Sequence, residues 1–250
     1  MVARGVKTQN RLSRIKLVIT AILCVNFLFW CASQNVYERW SGVPPVPDRT
    51  GAVMMTLGDP EFSYRILALS LQNLGNLGVN MAPLKDYNYH ELGEWFLLLN
   101  SLDPVSDHVP TLAAYYFGAT RIPADVAVVV RYLAAVGQEP FGTKWRWLVQ
   151  AVYLAQHRLY NENLALHLAK TLAHMPQSVA MPAWARQMPA FVLEKKGDKE
   201  AARTLMIDML RTQKNLSPQD LSNMEFFLIH QVGMSPQAVL RILKERGGHH

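Results

Sequence analysis

Cysteine is nearly missing from this chain: there are two, Cys24 and Cys31, and both lie in an apolar stretch near the N-terminus. From residue 32 onward no disulfide, thiol nucleophile or cysteine-based metal site is possible. Acidic residues are missing from the first 16 positions, which hold Arg4, Lys7, Arg11, Arg14 and Lys16. The remaining residues carry twenty Lys and Arg against nineteen Asp and Glu, so nearly all of the formal charge of +6 belongs to that tail. A nucleic-acid surface needs basic side chains clustered on the folded part, so no nucleic acid is expected as a partner. There is no Walker loop, no GxSxG elbow and no GxGxxG in context, which removes the usual signatures of nucleotide and hydrolase chemistry. Strand signals are absent beyond Val126–Val130, whose flanks have a helical pattern.

Charge is also absent from Leu17 to Tyr37. As a helix these 21 residues would measure about 31 Å, the span of a hydrocarbon core. Trp30, Tyr37 and Trp40 stand toward its far end, where amphipathic rings favour a headgroup layer. Basic residues precede it, and Glu38, Arg39, Asp48 and Arg49 cancel after it. The expectation is a transmembrane helix over 17–37, a basic cytoplasmic tail over 1–16, and the rest outside the cytoplasm, in a bacterium the periplasm. The competing reading is a cleaved signal peptide ending at Cys31-Ala32-Ser33; the long, bulky apolar stretch favours a retained inner-membrane anchor. Ser41-Gly-Val-Pro-Pro-Val-Pro47 then reads as a semi-rigid spacer, within a linker and short helix over 38–58.

What is present is periodicity. Pro104, Pro140 and Pro176 close successive apolar stretches at intervals of 36. In register with them, Leu92, Val128 and Leu164 form one column and Phe96, Tyr132 and Leu168 another, on one helical face. Each unit reads as two helices: Thr111–Thr120 with Ala124–Val136, Lys144–His157 with Glu162–His174, and Pro182–Lys195 with Lys199–Gln213. A last hairpin is expected over Ser217–Val232 and Pro236–Arg246. Gly197 suits the left-handed end of a helix, and Asp198 suits the cap of the next. Earlier helices are expected around Pro60–Leu71 and Tyr89–Leu102, separated by a loop over Gln72–Asn88. The repeat region is thus 59–246, with a tail over 247–250.

This two-helix unit resembles the tetratricopeptide repeat. The likeness rests on Lys196-Gly-Asp-Lys-Glu-Ala-Ala202, similar to that family's inter-helix turn, on Leu102-Asp103-Pro104, similar to its unit end, and on Pro140 and Pro176 at its terminal proline. The period of 36 rather than 34 is a departure from it. The resemblance implies an all-α fold, an α-solenoid of helical hairpins, following the N-terminal transmembrane helix. It also implies partner binding on the face lined by the first helix of each unit. The positions carried over are Phe117 and Thr120, then Arg146, Tyr153 and Gln156, then Trp184, Gln187 and Phe191. Aromatic rings supply area at low entropic cost and Arg pairs with carboxylates, which suits a peptide. The loop residues Lys85, Tyr87 and Tyr89 form a second candidate recognition element.

Metal and catalytic motifs are thin. His90 and Glu94 are four apart, but the second His of a zinc-protease motif is missing. His167 with His174, and the terminal His249-His250, stand without company. Glu91 and Glu94 read as acids favoured by a helix start. No cofactor, metal site or catalytic residue is expected, and the chain reads as a non-enzyme. The expected function is a membrane-anchored scaffold or adaptor that binds another cell-envelope protein. The alternatives are an accessory subunit of a membrane transport or secretion complex, with Asn26 bonding a neighbouring helix, and an envelope hydrolase using acids such as Glu91, Glu94 and Glu162.

Overall fold

Short polar side chains and prolines mark where the helices begin. Asp59 accepts bonds from the Glu61 and Phe62 amides and precedes Pro60 at the first helical position. Asn88, Asn161 and Asp198 cap their helices in the same way. Ser217 and Asp220 form a reciprocal capping box ahead of another helix begun by proline. The structure, a computed structural model, describes the backbone of residues 3–33, 42–75, 82–213 and 216–247, and the side chains of 16–32, 42–75, 82–213 and 216–246. The described residues are helices and connecting turns, without strands.

Residues 1–40 form one unit and 41–250 a second. The first unit contains α1 (Ala3–Ser33). Its uncharged part, Leu17–Ser33, measures about 26 Å, short of a hydrocarbon core of roughly 30 Å. Among the described residues no helix is long and apolar enough to cross a membrane. The expectation of a transmembrane helix over 17–37 is therefore overturned. Counting only the absence of charge carried it through Ser33, Gln34 and Asn35, which are uncharged but polar. Tyr37 and Trp40, the expected interfacial rings, lie outside the described residues, as do the side chains of Arg4, Lys7, Arg11 and Arg14.

The second unit opens with residues 43–47, which pack rather than space. Val43 is buried, Val46 packs against the core, and the Trp95 indole donates to the Pro44 carbonyl at 2.8 Å. The expected spacer is thus part of the fold. It is followed by α2 (Arg49–Met54), α3 (Pro60–Gln72) and, after a short 3₁₀ turn at Leu84–Asp86, α4 (Tyr89–Leu102). Then come α5 (His108–Thr111), α6 (Pro123–Val136), α7 (Trp145–His157) and α8 (Glu162–Ala173). The last are α9 (Ala183–Arg186), α10 (Met188–Lys195), α11 (Lys199–Thr212), α12 (Pro218–Phe226) and α13 (Pro236–Gly247). From α6 onward, α6 packs on α7, α7 on α8, α8 on α10 and α10 on α11, a succession compatible with an α-solenoid.

Two first helices are not regular. The segment expected as one helix over Thr111–Thr120 is α5, a π turn over Leu112–Tyr116 and a 3₁₀ turn over Phe117–Ala119. The segment expected over Pro182–Lys195 breaks at Gln187, because Pro189 has no amide hydrogen to continue the ladder. A second π turn, Phe227–Gln231, ends α12.

Glycine sets the closest approaches between helices. A Cβ on Gly137 would lie 2.3 Å from the Leu148 amide nitrogen, so only hydrogen fits where the end of α6 meets α7. The core has two clusters. One spans residues 43–192 and is rich in rings; the other spans 190–239 and is built on Met206, Met209, Leu210, Met224 and Leu228.

Candidate functional site

The start of α7 reads Trp145-Arg146-Trp147. At 100° per residue these side chains point different ways, and both indoles turn into the protein while Arg146 stays exposed. The Trp145 ring meets Trp184 of α9 at 5.8 Å, edge to face. The Trp147 ring meets Tyr115 of the π turn at 6.5 Å in the same manner. The Arg146 guanidinium sits 5.9 Å from the Trp145 ring centre, in range for a cation–π contact. Two ring pairs, Tyr115 with Trp147 and Trp145 with Trp184, thus flank the α7 start as the two halves of a ladder that joins three successive first helices.

This ladder is held by polar ties behind it. The Trp147 indole donates to Asp107 Oδ1 at 2.7 Å. Lys144, only 2% exposed, donates to the Ser106 carbonyl at 2.6 Å and lies 3.3 Å from the same Asp107 oxygen. Tyr64 donates to the Ser106 hydroxyl at 2.7 Å. A buried ammonium is tolerated only with such partners, so the segment before α5 and the start of α7 are fixed together. The outward tips of the ladder are Tyr115, 62% exposed, and Trp184, 39% exposed. Two turns along α7, Tyr153 is 54% exposed and its ring lies 4.8 Å from that of His157.

Of the residues expected on this face, Arg146, Tyr153, Gln156 and Trp184 are exposed or half-buried. Phe117, Thr120 and Gln187 are not available to a partner. Phe117 is fully buried and its ring packs against Tyr87, Tyr89, Phe96 and Tyr116. The π turn before it adds residues to the local turn and moves Tyr115, not Phe117, outward. Thr120 is buried and bonds the Asp125 carboxyl, whose pKa burial raises although that bond offsets it. Gln187 is buried at the break between α9 and α10. Phe191 is half-buried and meets Phe227 at 5.3 Å, so it joins the second cluster. The run Tyr115-Tyr116-Phe117 signals an aromatic turn, but adjacent rings do not say which one faces out, and the interval of 36 selects the wrong one.

The loop candidates divide. Lys85 is exposed. Tyr87 and Tyr89 are buried; their hydroxyls donate to the Leu74 and Phe117 carbonyls, each at 2.8 Å. Burial raises both phenol pKa values, that of Tyr89 to about 12, although Thr120 bonding pulls the latter down in part. These two are supports of the core rather than recognition residues. Burial also raises the Tyr132 pKa, and its hydroxyl has no partner among the described residues.

A recess of about 920 Å³ lies between α8 and α11, lined also by α9 and the start of α10. Lys170, His174, Leu205, Asp208 and Met209 line it, and Arg186 forms part of its floor. That arginine is already committed. Its guanidinium donates to the carbonyls of Ala173, Met175 and Pro176 at 3.2, 2.7 and 3.1 Å, closing the end of α8. Burial lowers its pKa. His90 and Glu94 line a smaller recess of about 290 Å³ with Arg131 and Tyr132. Among the described residues no three His, Cys, Asp or Glu side chains gather as a metal site would need. His249 and His250 lie outside the described residues. Protein-family models, curated proteins and solved structures, compared with the chain, contain no match to it.

Proposed function

We propose that the second unit is a peptide-binding adaptor that holds an extended segment of another protein across its first helices. The observation that carries this reading is the aromatic ladder from Tyr115 to Trp184, braced from behind and exposed at its tips. Rigid rings bury area on binding with little loss of rotamer freedom, and Arg146 beside them suits a carboxylate. The preferred segment therefore carries an acidic residue among apolar ones. Tyr153 and His157 extend the surface along α7.

The test is selection of a random peptide display library on the full chain. The wild type should enrich a consensus with an acidic residue flanked by apolar side chains. The triple variant Tyr115→Ala, Tyr153→Ala, Trp184→Ala should enrich none while its helical circular dichroism stays unchanged. Enrichment of the same peptides by the variant, or of none by the wild type, would overturn the reading.

A further inference from the structure

The first long helix of the second unit is apolar on two opposite faces. On α3, Ser63, Tyr64, Ala68 and Leu71 are buried against the unit. Phe62, Ile66 and Leu69 lie half a turn away and are exposed. Met54 at the end of α2, and Met55 and Leu57 in the turn that leads to α3, are exposed as well. The first helix of a helical stack normally shows water a polar face, since nothing packs beyond it.

The turn before α3 holds its apolar side chain out by design. Leu57 takes a left-handed backbone, φ 58°, which a branched side chain rarely adopts, and it is 101% exposed. Thr56 locks this conformation from inside. Its buried hydroxyl bonds the Val53 carbonyl at 3.0 Å and the Asp59 carbonyl at 2.9 Å. The Ser63 hydroxyl, also buried, ties α3 to the Ala52 carbonyl at 2.9 Å. A backbone strained to expose leucine, and fixed there, is a preformed contact.

We infer that this face is the interface of a twofold dimer between two copies of the chain. The six side chains expose on the order of 700 Å². That exceeds the ordinary apolar patch of a monomer, about 300–600 Å², and approaches the roughly 800 Å² per partner of a stable interface. The charges beside the stripe are self-complementary. Glu61 and Arg65 form an ion pair on the exposed side of α3, neutral in sum. Antiparallel packing of α3 on its copy sets Phe62 of one against Ile66 of the other and brings each Glu61 beside the opposite Arg65. A twofold contact demands this correspondence of residue i with j and j with i.

The experiment uses the full chain with Cys24→Ser and Cys31→Ser, since those are its two cysteines. Ile66→Cys is added, and the protein is treated with a short bis-maleimide in the cells that express it. The expected product is a covalent dimer of the chain, absent for Gln219→Cys on α12. Adding Leu57→Glu and Leu69→Glu to Ile66→Cys should abolish the dimer while helical circular dichroism is kept. Overturning outcomes are an adduct with a different protein, a chain that stays monomeric because a segment of its own covers the face, or a dimer that survives both glutamates.

Discussion

The cluster over residues 43–192 sets phenols and indoles with polar tips among its aliphatic side chains, whereas the cluster over 190–239 holds methionine and aliphatic side chains with phenylalanine as its ring. In the first, phenols and indoles reach distant backbone: Tyr89 to Phe117, Trp95 to Pro44, Tyr87 to Leu74. In the second, long-range polar ties join α13 to the end of α11: Arg246 to the carbonyls of Leu210 and Gln213, and Glu245 to Arg211. Bonds of fixed direction specify one arrangement, while unbranched methionine adapts to the space it is given. The difference teaches where a binding surface can be held in place: behind the ladder, not beside the methionines.

The strongest way to break this contrast is to empty each core in turn. Phe117→Ala should destabilise by about 4 kcal/mol and Met206→Ala by about 3 kcal/mol, both sites being fully buried. Four of the six tryptophans, Trp95, Trp145, Trp147 and Trp184, lie within residues 43–192 and none lies beyond, so urea unfolding by fluorescence follows the first cluster and not the second, while circular dichroism reports both. If the clusters unfold separately, Phe117→Ala shifts the fluorescence midpoint and Met206→Ala leaves it alone. One coincident transition in both variants would mean that the contrast has no thermodynamic content. Gly137→Ala follows, at about 3 kcal/mol, because the new methyl meets backbone rather than a movable side chain. Thermal unfolding of that variant measures it, and an unchanged midpoint would refute the close α6–α7 approach.

Alkali should separate the two regions without mutation. All nine tyrosines lie at or before residue 160. Folding raises the pKa of Tyr89 to about 12, and those of Tyr64, Tyr87 and Tyr132 move up as well, chiefly by burial. The neutral phenols therefore favour the folded state fully below pH about 10, and that stabilisation disappears as pH rises through 12. Tyrosinate absorbance and tryptophan fluorescence should change together in that window while helices beyond residue 199 persist. The smallest effect expected is a gain. Tyr132→Phe removes a buried hydroxyl that has no partner among the described residues, and should stabilise by about 1 kcal/mol in a urea titration.

Regular helices were legible in the sequence and irregular ones were not. The helix over Tyr89–Leu102 lies where its apolar columns put it, and α6, α8 and α11 lie within a residue of their expected ends. Their cores follow period 3.6, and caps and prolines mark their limits. The π turn at Leu112–Tyr116 leaves no such mark, so the repeat interval points to Phe117 and not to Tyr115 as the outward ring. Residues 43–47 look like a spacer because their prolines say extended, but composition does not reveal that Trp95 reaches Pro44 across the fold. For the candidate site, Arg146, Tyr153 and Trp184 could be placed from their own helices. The burial of Tyr87, Tyr89 and Gln187 depends on neighbours distant in sequence.

The junction at the end of α8 hangs on the outline of one side chain. Arg186 spreads a flat fork across three oxygens that diverge around it. Lysine, its nearest equivalent by sign, brings a single point on a flexible stem and would strand carbonyls the guanidinium now reaches. At this place the mildest exchange on paper is a severe one in space.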